Sequence, residues 1–441
     1  MTAYYRPTLV RHPGAKKQNS LLPGKPVPLK LGGRAGLLST RMREGVWRGR
    51  RAFCVGGGPS LKYFDWSLLA GELTIGINRA FEQFDPTIIF SMDTRFWMWL
   101  EQGKFGEATR ARFDRYSHGL KVWLDTVPGK TPFAEDILTV PYNQKLTGWG
   151  TNLEEGLSSG QNSGYSALNL AAILGANPIY LLGYDMVGNR TGGQMWWHDG
   201  YPINQNEAVY ARFSNAFAEG AAPACRAAGI QVINLNPNSA LRCFPFGEMP
   251  PPSDMPILIS YYTTNNDYAK EVENLKKSLQ PWGLKTDIFG MESLGSWQQN
   301  IAHKPEFIRT MQRKHLGKPL LYVDADALVV GYPGLFEGMS QKCDIGIHQL
   351  QGNHRRELLS GTIYLSATPG ARAVVDVWRE EMRAFPDVWD QVILQKVLHE
   401  RANDFRVYDL PPEYCSIFDR SDRPTHPVIE HYQASRRMRN Q

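Results

Sequence analysis

The order of apolar runs constrains the fold more than any other feature. Between Arg51 and about residue 245, strand-like runs ("RAFCV", "LTIGIN", "PTIIFSMD", "NPIYLLGYD", "IQVINLNP") alternate with helical stretches ("GYSALNLAAILGA", "FAEGAAPACRAAG"). Strands that are apolar on both faces and separated by helices belong in a parallel α/β sheet. The pattern stops at "FGEMPPPSDMP" (246–256), where three consecutive prolines break it. It then restarts with "PILISYYTT", the charged amphipathic stretch "YAKEVENLKKSLQPWG", "LKTDIFG", "KPEFIRTMQRKH" and "PLLYVDADALVV". The last run reads as a strand that overruns its sheet. The expected organisation is a basic, Pro/Gly-rich arm over 1–50, one Rossmann-like domain over 51–247, a Pro-rich linker over 248–254 and a second Rossmann-like α/β domain over 255–441. A length of 441 residues accommodates two domains.

Composition narrows the class. With 42% hydrophobic and 21% charged residues, the chain can build large cores without disulfide or zinc staples. Its five cysteines are scattered and none forms a C-x-x-C pair, so a disulfide framework and a zinc site are both disfavoured and a reducing cytoplasm is expected. The N-terminal residues lack an apolar leader core, and the longest apolar stretch is interrupted by Asn169, Asn177 and Pro178, so no membrane span is expected. The net charge of +6 suits a protein that handles nucleotides or phosphates, and equally a plain solvated surface.

Two short motifs carry chemistry. Asp324 and Asp326 stand one residue apart where "LLYVDADALVV" leaves the core. Paired carboxylates beyond a strand's carboxyl end can supply part of the oxygen shell of Mn²⁺ or Mg²⁺, although acids at turns are common. Gly56, Gly57 and Gly58 directly follow the first strand, and Pro59 and Ser60 fit a first helical turn. Without Cβ atoms such a loop can approach a phosphate closely, or simply turn tightly.

The second half of the chain resembles GT-A type glycosyltransferases of the glycogenin and galactosyltransferase-like group. The resemblance rests on "KPEFIRTMQRKHLGKPLLYVDADALVV", "SYYTTNNDYAKEVENLKKSL", "LLSGTIYLSAT", "VWDQVILQKVL" and "VIEHYQASRRMR", in that family's motif set. It implies that Asp324, Asp326 and His431 hold the metal and that Asp390 and Gln391 form the catalytic pair. It also implies that Tyr261 and Tyr262 lie on the nucleotide-binding strand and that Arg436 and Arg437 meet the donor's diphosphate. The C-terminal motif departs from close members in lacking a Lys-Pro-Trp ending.

The first half resembles bacterial lipooligosaccharide sialyltransferases and the family of flagellin-modifying transferases and pterin diphosphokinases. The residues are "VGGGPSLKYFDWSLL", "TIGINRAFEQF", "SGQNSGYSALNLAAILGANPIYLLGYDM" and "IQVINLNPNSAL". The resemblance implies a glycine loop at Gly56, Gly57, Gly58 and Ser60, with Asn78, Ser163, Asn238 and Ser239 contacting the nucleotide or donor sugar. His198, in "MWWHDGYP", would be the general base. Gly57 stands where sialyltransferases carry asparagine, which leaves this domain's donor open.

Together these readings describe an α/β glycosyltransferase. Its metal-dependent C-terminal site would take a nucleotide sugar and a glycan or other hydroxyl acceptor, and its N-terminal domain would be a second transferase or a nucleotide-binding module. The rivals are a diphosphokinase-like nucleotide-processing unit, a scaffold with both sites degenerate, and a DNA-modifying glycosyltransferase. A nucleic-acid acceptor ranks below a glycan because no recognition motif is present.

Overall fold

The computed structural model describes residues 36–126, 133–187, 195–203, 208–351 and 356–434. Arg436, Arg437 and residues 1–35 of the expected arm lie outside the described residues.

Seven strands form the first sheet: β1 (Ala52–Val55), β2 (Leu73–Ile77), β3 (Ile88–Ser91), β4 (Leu120–Asp125), β5 (Ile137–Pro141), β6 (Ile179–Leu182) and β7 (Val232–Asn234). Every neighbouring pair is parallel, in the order β5-β4-β3-β2-β1-β6-β7. The order reverses direction beside β1, so β1 and β6 flank the crevice where open α/β sheets take ligands. The helix Ser163–Ile173 packs against this sheet, and the Asn162 side chain caps it by accepting the Tyr165 N–H at 2.9 Å. Residues 36–50 pack against the first core. Leu38, Met42 and Trp47 are fully buried in the first core, since three large apolar side chains cannot stay in water cheaply.

The second sheet contains β8 (Ile257–Thr263), β9 (Thr286–Met291), β10 (Leu320–Val323), β12 (Ile345–Gln351), β13 (Arg356–Leu365) and β14 (Val407–Asp409). Its order is β14-β12-β13-β10-β8-β9. β9, β8 and β10 are parallel, and β13 runs antiparallel to β10 and β12. A small sheet of β11 (Ala327–Val329), β15 (Ser416–Ile417) and β16 (Ile429–His431) lies beside it. The run "LLYVDADALVV" is therefore not one overrunning strand. It breaks at the acids, where Asp324 donates its N–H to Gly361 O (2.9 Å) and Ala327 donates to Asp324 O (3.0 Å). The turn hands the chain from one sheet to the other.

The proline-rich segment is pinned rather than loose. Arg51 donates to Pro251 O at 2.8 Å and also pairs with the buried Glu72, which accepts the Ser253 N–H at 2.9 Å. Trp47 Nε1 donates to Pro281 O at 2.9 Å, and Arg50 pairs with Glu337, so the two halves also meet directly. Among the described residues no helix is long and apolar enough to cross a membrane.

Candidate functional site

Each sheet carries a cavity at the carboxyl ends of its parallel strands. The one on the second sheet has a volume of about 650 Å³. Asp324 and Asp326 reach it from the turn after β10, and His431 from the end of β16. Antiparallel pairing sets Ala327 opposite His431, which carries the histidine to the acids across more than a hundred residues of chain. One ligand atom from each of the three lies within 4.8 Å of the others.

The neighbours orient this triad. Asp324 Oδ1 accepts the Tyr322 hydroxyl at 2.8 Å and faces Lys304 Nζ at 3.2 Å, while a Cβ at Gly361 would lie 3.2 Å from Asp324 Oδ2 and 3.0 Å from His431 Nδ1. Only a glycine leaves room there for both groups. His431 Nε2 is hydrogen-bonded to Thr362 Oγ1 at 2.8 Å, which directs Nδ1 toward the acids. Burial pulls the His431 imidazole down to about 4, so it is neutral at physiological pH and can offer a lone pair. Asp326 Oδ2 accepts the Ala434 N–H at 2.6 Å. Burial, helped by the Asp324 charge, raises its carboxyl to about 6. Two carboxylates and a neutral imidazole converging in one wall fit a hard divalent cation, whose charge would relieve that strain.

Asp390 and Gln391 open the helix Asp390–Glu400 and line the same cavity. Gln391 Nε2 donates to Glu357 Oε1 at 3.0 Å, and Asp390 Oδ2 accepts the Ser360 hydroxyl at 3.0 Å. Lys304, which sequence reasoning passed over, links the two acidic groups. Its buried Nζ lies 2.9 Å from Asp390 Oδ2 and donates to Ser360 O at 3.2 Å. Burial works against its charge, but the Asp324 and Asp390 carboxylates outweigh that and hold its pKa above the ordinary lysine value. The signal available in sequence was a lysine just before Pro305, a first-turn position that faces a core. Tyr261 and Tyr262 line the cavity too, and the Tyr261 hydroxyl donates to Asn300 O at 2.8 Å.

The cavity on the first sheet measures about 930 Å³ and is lined by Gly56, Gly57, Gly58, Asn78, Ser163 and Asp185 among others. The glycines serve packing as much as ligand approach. Gly56 and Gly58 donate to Leu182 O (2.8 Å) and Gly183 O (2.9 Å). A Cβ at Gly56 would lie 2.7 Å from Gly183 O, and one at Gly58 would collide with the Asp185 carboxylate. Asp185 is buried and takes the Ser60 hydroxyl at 3.0 Å and the Asn236 amide, so it clamps the loop. Burial raises its pKa. Asn78 holds φ 53° and shares its side-chain amide with Tyr201 and Ser163. Of the five non-glycine residues with positive φ among the described residues, Asn78, Gln161 and Met186 line this cavity and Gln433 lines the other. Such backbone cost concentrates where a site dictates geometry.

Three more residues expected at this site are each held by their neighbours. His198 lies behind the glycine loop, where a Cβ on Gly57 would sit 3.5 Å from its Nε2. It is buried, stacked on Trp196 at 5.8 Å and edge-on to Tyr201 at 5.1 Å, and its Nδ1 accepts the Gly200 N–H at 3.0 Å. Burial, and then the nearby Arg79 charge, lower its pKa to about 3, which makes it a weak base. Ser239 is buried and its hydroxyl is committed to Tyr184 O at 2.5 Å. Asn238 is exposed, donates its N–H to Asn236 Oδ1 and, like Ser239, is not on the cavity wall.

Residues 301–434 match the family model of the nucleotide-diphospho-sugar transferases, a segment that contains Lys304, Asp324, Asp326, Asp390, Gln391 and His431. No curated protein matches the chain. Similar solved structures include a glycosyltransferase involved in glycosylation of the major capsid of PBCV-1 (14% identity, TM-score 0.34), covering 42% of this chain and 98% of that one. The glycosyltransferase GlyE of Streptococcus pneumoniae TIGR4 matches at 15% identity and TM-score 0.28, covering 40% of this chain and 55% of that one. Its apo form matches at 17% and 0.31, over 40% and 54%.

Proposed function

We propose that the C-terminal domain transfers a sugar from a nucleoside-diphosphate sugar to a glycan or other hydroxyl acceptor, with Mn²⁺ or Mg²⁺ held by Asp324, Asp326 and His431. The observation that carries this is the convergence of these residues within 4.8 Å in a cavity whose residues lie largely in the segment matching the nucleotide-diphospho-sugar transferases. When bound, the cation would supply positive charge beside the departing diphosphate. The rest falls to the chain. Thr362 fixes the His431 ring, and Lys304 and Tyr322 hold Asp324 Oδ1 so that Oδ2 faces the imidazole. Lys304 and Ser360 position the Asp390 carboxylate at the cavity wall, and Gln391 beside it offers an amide for the sugar's hydroxyls. Arg436 and Arg437 follow directly on this wall in sequence and suit diphosphate oxygens in charge and geometry.

The N-terminal cavity favours a second nucleotide-binding site, either a second transferase or a module that serves the first. Its place at the strand-order reversal, with a glycine loop on one side and the start of the helix Ser163–Ile173 on another, supports that reading. The domain's chemistry would not rest on His198. A cytoplasmic location accords with five unpaired cysteines.

The test is a donor screen. Purified protein is incubated with UDP-, GDP- and CMP-sugars plus Mn²⁺, and released nucleotide is measured. Asp326→Ala is expected to lower the metal-dependent signal by about 100-fold or more. Turnover in the variant equal to that of the parent would overturn the assignment.

A further inference from the structure

By composition the glycine loop of the first domain suits a phosphate cradle, but its hydrogen-bonding groups are committed to the chain itself. Gly56 and Gly58 donate to Leu182 O (2.8 Å) and Gly183 O (2.9 Å). Pro59 has no N–H, and Ser60 donates its own to Asp185 Oδ2 at 3.4 Å. The carbonyls are taken as well: Trp197 donates its backbone N–H to Gly57 O at 3.1 Å and its indole N–H to Gly56 O at 3.4 Å. Among the described residues, the Gly57 N–H is the one backbone donor between Gly56 and Ser60 that has no partner. An anion cradle is built from several N–H groups that converge on one ligand, and a single N–H does not make one.

The charge against the loop also has the wrong sign for an anion. Asp185 is buried and lines the cavity, and a Cβ on Gly58 would collide with its carboxylate, so the acid fills the space directly beside the loop. Its position is fixed. The Ser60 hydroxyl (3.0 Å), the Ser60 N–H and the Asn236 amide all donate to the carboxylate, and Ala240 donates its N–H to Asp185 O at 2.8 Å. These donors favour the ionised form, and a carboxylate has acceptor positions to spare for one more. A phosphate placed here would meet like charge where water screens it poorly. The cations on the cavity wall belong to other elements. Arg95 is held by Asp93 in a two-bond pair, and Arg212, on the helix Ala208–Ala216, forms no ion pair among the described residues.

We infer that the glycine-loop end of the N-terminal cavity recognises the ribose hydroxyls of a nucleotide, and that the phosphate lies toward Arg212; this rests on the nucleotide-binding reading proposed above. A hydroxyl can accept the Gly57 N–H and donate to the Asp185 carboxylate at once. A phosphate oxygen can only accept, and an ammonium group can only donate. Asp185 is then the residue that decides what the loop takes, and Ser60 and Asn236 position it.

The experiment uses the full chain in EDTA, so that cation-dependent binding at the C-terminal site is not counted. Titration calorimetry compares the 5′-monophosphates of adenosine, guanosine, cytidine and uridine with their 2′,3′-dideoxy forms and with the unphosphorylated nucleosides. At least one ribonucleotide is expected to bind, and its dideoxy form to bind about ten-fold more weakly. In Asp185→Asn the two forms should bind within about two-fold of each other. Asn236→Ala, which removes the amide that aims the carboxylate, is the milder probe should Asp185→Asn melt early; it should shrink the same ratio by about two-fold or more. Arg212→Gln should weaken the nucleotide and its dideoxy form alike and leave the nucleoside unchanged. Thermal melts check the fold of each variant. The inference is overturned if the parent binds both forms equally, if the ratio is unchanged in a folded Asp185 or Asn236 variant, or if Arg212→Gln weakens the nucleoside as much as the nucleotide. In each of those cases the nucleotide-binding reading survives. If no nucleotide binds in EDTA, that reading falls and the inference with it.

Discussion

The cavity above the first sheet is walled mainly by glycines, capped helix ends and neutral side chains, with charged groups such as Asp93, Arg95, Asp185 and Arg212 spread among them, whereas the one above the second gathers several acids and a lysine, partly or wholly buried, into one cluster. In the first, Gly56 and Gly58 let a loop lie against the end of β6, and Asp185 ties it down. In the second, Lys304, Asp324, Asp326 and Asp390 crowd into one polar cluster. Both sit where strand ends point, so topology chose the place twice. The chemistry differs because a backbone-built wall offers shape and dipoles, while buried charge offers strong, sign-specific fields.

That contrast predicts different failures. The largest effect should follow Lys304→Met. It leaves the Asp390 carboxylate buried beside Asp324 with no counter-charge, which should cost about 3–5 kcal/mol. Urea unfolding of the full chain measures this. A loss below about 1 kcal/mol would mean that solvent or another cation already shields the cluster, and the contrast would dissolve.

Gly58→Ala should act on the other wall. The new methyl meets the Asp185 carboxylate, forcing the loop away from β6 at a cost of about 1–3 kcal/mol. Nucleotide binding at the N-terminal cavity, followed by calorimetry, should weaken. Metal-dependent nucleotide release from the C-terminal site should stay within about two-fold, since these residues share no partner with the acid cluster. Equal loss at both sites would show the cavities to be coupled.

The remaining effects are pH-dependent and opposite in kind. His198 has its folded pKa depressed to about 3. Its contribution to stability is therefore complete above the ordinary histidine value of 6.5 and is lost as pH falls from there toward 3. His198→Phe should flatten that part of a stability profile measured by urea midpoints. Asp326 has its folded pKa raised from 3.8 to about 6. Its contribution is complete below 3.8 and is lost as pH rises through 6, because folding then holds a charge that it disfavours. A cation needs that charge. Mn²⁺ affinity, read by electron paramagnetic resonance, should fall by about ten-fold per unit of pH below 6. A flat affinity between pH 5 and 7 would remove Asp326 from the metal site.

Much of this was legible residue by residue. The apolar runs of β1, β2, β3 and β6 are buried on both faces, so their composition announced a covered parallel sheet. Asp324 and Asp326 were legible because they end such a run. The break between β10 and β11 was not, since an apolar stretch that changes sheets has the same composition as one that continues. Lys304 escaped notice because burying a lysine depends on two carboxylates supplied from other elements. The surroundings of His198 were not legible either, since its stack with Trp196 and its proximity to Arg79 exist only in three dimensions.

The sequence by itself settled the covered strands, the place where the apolar pattern restarts and the pair of acids that follows an apolar run. These depend on neighbours along the chain, through alternation of apolar runs, glycine and proline. Tertiary structure alone decided how strand pairing carries His431 to those acids, that Lys304 joins Asp324 to Asp390, and that Ser239 and His198 are buried. Each of these is a meeting of distant segments whose protonation and partners are set by burial, and burial is a property of the folded whole.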